Sequence, residues 1–329
     1  MTSKTLSRRQ ALTFIAGAVL TERTFSQSAW PDHTVKFIVP AGAGTGIDVI
    51  ARLLADQLSR QLGQPFVVEN VTGAAGIVGT ERALRAPPDG YTYLVGFNQI
   101  MSINPHLYAK LPYDPVRGVA PVSLVAKGGG YVLIAGPTAP FNTFDEFIRY
   151  ARAHPGELAY GSSGTGSIAH LGMELLKQRA GIDLLHVPYR TGSDVTNDLI
   201  SGRIHVRLET VNSAVPLVRG GRIKALAVST ASRKRLLPDV PTFSEQLPGF
   251  SEIAGWNAVW APANTPAAIV ERMARELAAA LRDPKVIQRI SDLGTEAQAS
   301  TPAELAQLTE KDFALWGNLI KQQGIKSIE

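Results

Sequence analysis

Apolar positions along this chain recur with two periods. Short runs rich in Val, Ile and Phe read as strands, and stretches with apolar residues three and four apart read as helices. Residues 35–39, 66–70, 92–97, 122–126, 131–135, 158–161, 184–187, 204–208, 225–229 and 256–261 predict strands. Residues 48–62, 78–86, 143–153, 168–180, 193–201, 213–220, 266–281 and 302–323 predict helices. Turns are forced by Pro87-Pro88-Asp89-Gly90 and by His154-Pro155-Gly156. Strands alternating with helices of this length imply α/β architecture with doubly wound, mainly parallel sheets. The alternation occurs twice, so two domains are expected, 30–130 plus 255–329 and 131–254. The crossings fall near 128–131 and 253–260; Gly128-Gly129-Gly130 reads either as a hinge or as a plain loop.

Two helix starts carry candidate chemistry. Pro40-Ala41-Gly42-Ala43-Gly44-Thr45-Gly46-Ile47-Asp48 joins the first strand to the first helix. Gly161-Ser162-Ser163-Gly164-Thr165-Gly166-Ser167 precedes the helix at 168. A helix N-terminus leaves backbone N–H groups unpaired and carries partial positive charge. Glycines let an anion approach those groups, so both turns are candidate carboxylate or phosphate sites. Both lie at carboxyl ends of strands, where open α/β sheets bind ligands, and a cleft between facing domains would hold one turn on each wall.

Composition narrows the picture. The apolar fraction is 45% and the charged fraction 19%, as in a packed globular protein. The net charge is +5, but Lys4, Arg8, Arg9 and Arg23 against Glu22 concentrate it before residue 30. The densest later cluster, Arg233-Lys234-Arg235, reads as a solvated loop or helix end, so nucleic acid is not an expected partner. Residues 1–29 read as a signal peptide, with Arg8-Arg9 before an apolar stretch and cleavage expected near Ser28 or Ala29. The expected location is therefore the periplasm, reached by the general or the twin-arginine route.

Enzyme patterns fail. There is no cysteine, which removes thiolate nucleophiles and thiolate metal sites. A G-x-G-x-x-G fingerprint starting at Gly42 would need glycine at 47, where Ile47 stands. In Gly161-Ser162-Ser163-Gly164-Thr165, Thr165 replaces the last glycine of G-x-S-x-G. His170 and His186 are expected to pack or cap, His205 to be structural, and no histidine spacing suggests a metal. No cofactor and no catalytic residue is expected.

Ordered markers then accumulate: Pro40 to Asp48, Val68-Glu69-Asn70, Ala86-Pro87-Pro88-Asp89-Gly90-Tyr91, Ile103-Asn104-Pro105, Tyr160-Gly161-Ser162-Ser163-Gly164, His186-Val187-Pro188-Tyr189 and Ala261-Pro262-Ala263-Asn264-Thr265-Pro266. With these, the chain from Trp30 onward resembles the tripartite tricarboxylate transporter substrate-binding proteins, the Bug family. The resemblance implies a periplasmic binding protein of type II-like fold that closes two domains over a carboxylate and delivers it to membrane permease subunits. It implies no catalysis, and the protein is expected to be a monomer. A ligand sensor serving a membrane kinase is the alternative; an exported enzyme is a less favoured third. Mapped residue by residue, the family site implies Ala43, Gly44, Thr45 and Asp48 from the first turn and Ser162, Ser163, Thr165 and Gly166 from the second. It adds Asn98, Arg190, Thr191 and Glu209. Asp48 reads as a helix cap or a ligand contact, and Arg190 as a carboxylate partner or a solvated side chain.

Departures from the family pattern bear on the cargo. Ala41 stands where an aromatic residue is usual, and Ile47 where Thr is common. Phe97-Asn98-Gln99-Ile100 replaces a run of small hydroxylated residues, and Leu208-Glu209 replaces the usual Phe-Asp. These changes suggest one carboxylate on a larger, less polar body, such as an aromatic carboxylate, although Phe97 could equally pack in the core.

Overall fold

The computed structural model describes residues 30–189, 192–250 and 253–325. The expected signal peptide, Arg190 and Thr191 lie outside the described residues. The chain first builds β1 (Val35–Val39), α1 (Gly46–Leu62), β2 (Phe66–Asn70), α2 (Ile77–Leu84), β3 (Thr92–Phe97), α3 (Asn104–Leu107) and β4 (Val119–Gly128). It then crosses to β5 (Tyr131–Ala135), α4 (Phe144–Ala153), β6 (Ala159–Ser162), α5 (Ile168–Ala180), β7 (Leu185–Pro188), α6 (Gly192–Ser201), β8 (Val206–Thr210), α7 (Val211–Arg219), β9 (Lys224–Val228) and α8 (Phe243–Gln246). It returns through β10 (Trp256–Pro262), α9 (Ala267–Ala280), α10 (Pro284–Asp292), β11 (Thr295–Ala297) and α11 (Pro302–Gln322).

Two sheets result, ordered β11-β4-β10-β3-β1-β2 and β7-β6-β8-β5-β9. Each is mixed rather than mainly parallel. β1 runs parallel to β2 and β3, but β10 is antiparallel to β3 and β4. β6 runs parallel to β7 and β8, but β5 is antiparallel to β8 and β9. The cause is the crossings. A chain that leaves one edge of a sheet and re-enters at that edge must reverse direction. Asn257 therefore lies opposite Phe97, and Tyr131 opposite Thr210. The carboxyl ends of β1, β3, β6 and β8 all point toward the crossings, as the ligand-cleft reading requires.

The crossing glycines are there for close approach of backbones. A Cβ at Gly128 would lie 2.6 Å from the Gly255 carbonyl, and one at Gly129 would overlap the Gly294 carbonyl. Gly128 N–H also donates to Gly255.

Apolar burial drives both lobes. Phe37, Leu54, Leu58, Tyr93 and Met273 share one core; Leu133, Phe147, Tyr160 and Leu171 share another. Each large side chain so buried contributes about 1.5–3 kcal/mol. Local signals agree with the packing: Thr143 and Glu146 form a capping box on α4, Thr301 and Glu304 one on α11. α11 serves both lobes. Its Leu305 packs with Ile38, Leu94 and Trp260, whereas Trp316, Leu319 and Ile320 join the core that holds Leu133 and Tyr160. Ile103 and Leu107 join that second core as well.

Candidate functional site

The first turn is shaped from within. Asp48, in the first helical turn of α1, is buried and accepts from Gly44 N–H at 2.8 Å, from Asn70 Nδ2 at 2.8 Å and from Arg52 Nε at 3.1 Å. Burial raises its pKa, but the bonds from Arg52, Gly44 and Asn70 outweigh that and hold the carboxyl below its ordinary value. Asp48 is thus an internal brace, and the Gly44 N–H is spent on it. Thr45 Oγ1 donates to Gly42 O at 2.7 Å. Ala43, Gly44, Thr45 and Gly46 remain exposed, with open space where side chains at Gly42, Gly44 and Gly46 would project.

The second turn is braced the same way by a different group. Gly166 N–H donates to His170 Nδ1 at 3.1 Å, and Ser162 Oγ lies 2.7 Å from His186 Nε2. Gly164 N–H donates to Ser162 Oγ at 3.2 Å, and Ser167 Oγ caps α5 by accepting from His170 N–H. Ser162 and Gly166 are buried; Ser163 and Thr165 present their side chains to solvent. Below the turn, His170 and His186 stack 4.1 Å apart, and Tyr160 donates to buried Glu174 at 2.6 Å. Burial pushes the His170 pKa down; burial and then neighbouring His170 push His186 down to about 4.

Between the two sheets lies a cleft of about 370 Å³. Its walls include Phe97, Asn98 and Trp256 from one side and Tyr131, Ile168 and Asn212 from the other. The crossing glycines 128–130 form part of its lining, and Thr210 to Ser213 bring the start of α7 to it. Thr210 makes no side-chain cap to α7, so no N-cap side chain takes the amides of the first turn, although the Val211 N–H donates to Gly130 O. Asn98 is 1% exposed, and its Nδ2 has no hydrogen bond of normal geometry among the described residues. Nearby, Trp256 Nε1 donates to Asp312 at 2.7 Å, and burial raises the Asp312 pKa against the opposing influence of Trp256 and Asn98. A larger open groove of about 720 Å³ lies elsewhere, between His106 and α11, and neither glycine-rich turn lines it.

Of the residues expected at the site, Asn98 lies in the cleft. Ala43, Gly44, Thr45, Ser163, Thr165 and Gly166 do not line it; they stand at the same edges of the two sheets. Glu209 is committed elsewhere: it pairs with buried Arg207 at 2.8 Å and accepts from Thr210 N–H at 2.8 Å. Trp256, Asn212 and the start of α7 were not among the expected ligand contacts. Their signal was the position of Trp256 at the return crossing and of Asn212 just past a strand end. No group of three His, Asp or Glu among the described residues could hold a metal ion.

Residues 50–325 match the family described as tripartite tricarboxylate transporter family receptor. The chain belongs to that family. A protein from the tcbD-tcbE intergenic region of Pseudomonas sp. strain P51 is 35% identical to the receptor over 96% of this chain and 94% of its own. Rhodopseudomonas palustris Rpa4515, solved with adipate, has a TM-score of 0.75 at 33% identity, covering 91% of this chain and all of that one. MatC from the same organism, solved with bound malate, has a TM-score of 0.70 at 31% identity, covering 88% of this receptor and 100% of MatC. No helix among the described residues is long and apolar enough to cross a membrane.

Proposed function

We propose that the receptor captures a small organic carboxylate between its two lobes and passes it to the membrane subunits of a tripartite tricarboxylate transporter. The observation that carries this reading is the cleft at the crossings, where the start of α7 and Asn98 line one space. The adipate and malate bound by its relatives are ligands of the same chemistry. The lobes are 30–130 plus 255–329 and 131–254. Residues 1–29 direct export to the periplasm, and the mature protein acts as a monomer.

Within the expected site, Ala43 and Thr45 of the first turn and Ser163 and Thr165 of the second would reach cargo as the lobes approach, with Arg190 and Thr191 beside them. Gly44, Asp48, Ser162, Gly166 and Glu209 act through the bonds that shape these segments. Phe97, Tyr131, Ile168 and Trp256 give the cleft an apolar lining, which suits one carboxylate on an apolar body. The receptor performs no chemistry. Ser162 and His186 are spaced like a nucleophile and base, but Ser162 is fully buried and already bonded within its turn.

A thermal-shift screen of the protein from Trp30 onward tests this reading, with adipate, malate, succinate, citrate, nicotinate, benzoate and phthalate. A ligand specific to the folded state raises the melting temperature as its concentration rises. A benzoate-class shift supports the apolar-body reading, a shift only with malate or citrate removes it, and no shift in refolded, ligand-stripped protein removes carboxylate capture.

A further inference from the structure

The turn that starts α5 is held in shape by histidine nitrogens, a device that cargo capture alone does not explain. Gly166 N–H can donate only to an unprotonated ring nitrogen, so neutral His170 carries its proton on Nε2. His186 fits the complementary role. With Nε2–H donating to Ser162 Oγ, that oxygen also accepts from Gly164 N–H and donates to Gly164 O at 3.1 Å. All the bonding capacity of Ser162 is then used. The two rings stack between Tyr160 and the turn, so displacing either disturbs both glycines.

We propose that His170 is a positioning residue which keeps the second turn ready for cargo only while its ring is neutral, making cargo retention acid-sensitive. Adding a proton at Nδ1 removes the acceptor for Gly166 N–H and sets two N–H dipoles against each other. A proton added to His186 instead would enter at Nδ1 and leave its Nε2–H bond to Ser162 in place.

The surroundings decide how easily that proton is taken up. From α5 itself, Glu174 favours it and Lys177 opposes it. Glu174 is already engaged by Tyr160 and by Lys177 at 3.0 Å, so its help is muted. His186 on β7 stacks on the ring, and Tyr160 on β6 flanks it. Arg207 on β8 is in register with Gly161 and serves the opposite face of the sheet, bonding Thr196 and Glu209. On α3, Leu107 packs at Gly166, while His106 turns to Phe313 O at 2.9 Å. Burial is the main influence, and it keeps His170 neutral around neutral pH.

The test begins on ligand-free protein, so it does not depend on the cargo. In isotope-labelled receptor, His170 nitrogen shifts and the Gly166 amide are followed from about pH 7.5 to about pH 5. The expected result is an unprotonated Nδ1 at the higher pH and a Gly166 amide that moves with the His170 titration. His170→Asn places a non-titrating acceptor at the Nδ1 position and should leave the Gly166 amide flat across that range. A proton on Nδ1 at neutral pH, or a Gly166 amide indifferent to His170 charging, overturns the proposal. Its affinity arm rests on the carboxylate-receptor reading and uses adipate in calorimetry. The dissociation constant of wild type should rise roughly tenfold more than that of His170→Asn on acidification, the comparison cancelling the titration of adipate itself. Equal slopes in the two proteins overturn the affinity arm. Absence of adipate binding at either pH counts against the cargo reading, while the amide result still decides the role of His170.

Discussion

The α-carbon of Gly294, in the turn before β11, lies against the side chain of Asn212 at the start of α7, so closely that a methyl group there would overlap the amide. The two residues come from opposite lobes, and Gly294 also holds a positive φ of 78°. Gly294→Ala therefore meets backbone strain and a clash at once. We expect it to destabilise the protein by about 2–4 kcal/mol, with part of the loss recovered by adding Asn212→Gly. Urea unfolding of the three variants measures this; no recovery on adding Asn212→Gly would mean the lobes do not rest together in solution.

On β8, buried Arg207 pairs with half-buried Glu209. Removing Arg207 alone leaves the half-buried Glu209 carboxylate without its cation, so Arg207→Ala should cost about 1–3 kcal/mol. Replacing both with apolar residues of similar size should recover most of that. If Glu209→Gln instead weakened cargo binding while leaving stability intact, Glu209 would be a ligand contact after all.

Asp48 predicts a pH effect with a definite sign. Its carboxyl sits below the ordinary value in the folded chain, so its contribution is present above that value and is lost as pH falls through the depressed one. Asp48→Asn should thus lose less stability than wild type on acidification below about pH 4. At neutral pH the same change should cost about 1–3 kcal/mol through its weakened bonds to Gly44 and Arg52. Unfolding midpoints at the two pH values check both statements.

Trp256 lines the cleft while its indole N–H holds Asp312. Cargo entering the cleft should change its emission in a saturable way. Trp256→Phe should abolish the change, whereas Trp316→Phe, at a site packed against the second core, should not. A signal that survives in Trp256→Phe would place the cargo elsewhere.

Much of this was legible in the sequence because it is local. The strand at 35–39, the helix ending at Leu62 before Gly63, and Asp48 as a brace follow from periodicity and capping within a few residues. What was missed depends on contacts distant in sequence. Strand direction in β10 is set by where the chain re-enters, which no local pattern records. α10 and β11 escaped notice because they are short, although Asp283-Pro284 was a readable start signal. The pairing of Glu209 with Arg207 was readable, since residues two apart on a strand share a face. The histidine stack was not, because His170 and His186 meet only once α5 packs on its sheet.

Both ends of the second core are written far from its middle. Ile103 and Leu107 are made before its first strand, and Trp316, Leu319 and Ile320 after its last. During synthesis from the N-terminus, a segment running from β5 to α8 has no means of completing its own interior until the final helix has emerged. The lobe is therefore not a cassette that can be excised at its crossings or grafted whole onto another protein. A boundary drawn there would leave an apolar opening where α11 belongs, and the nascent chain carries that opening until α11 arrives.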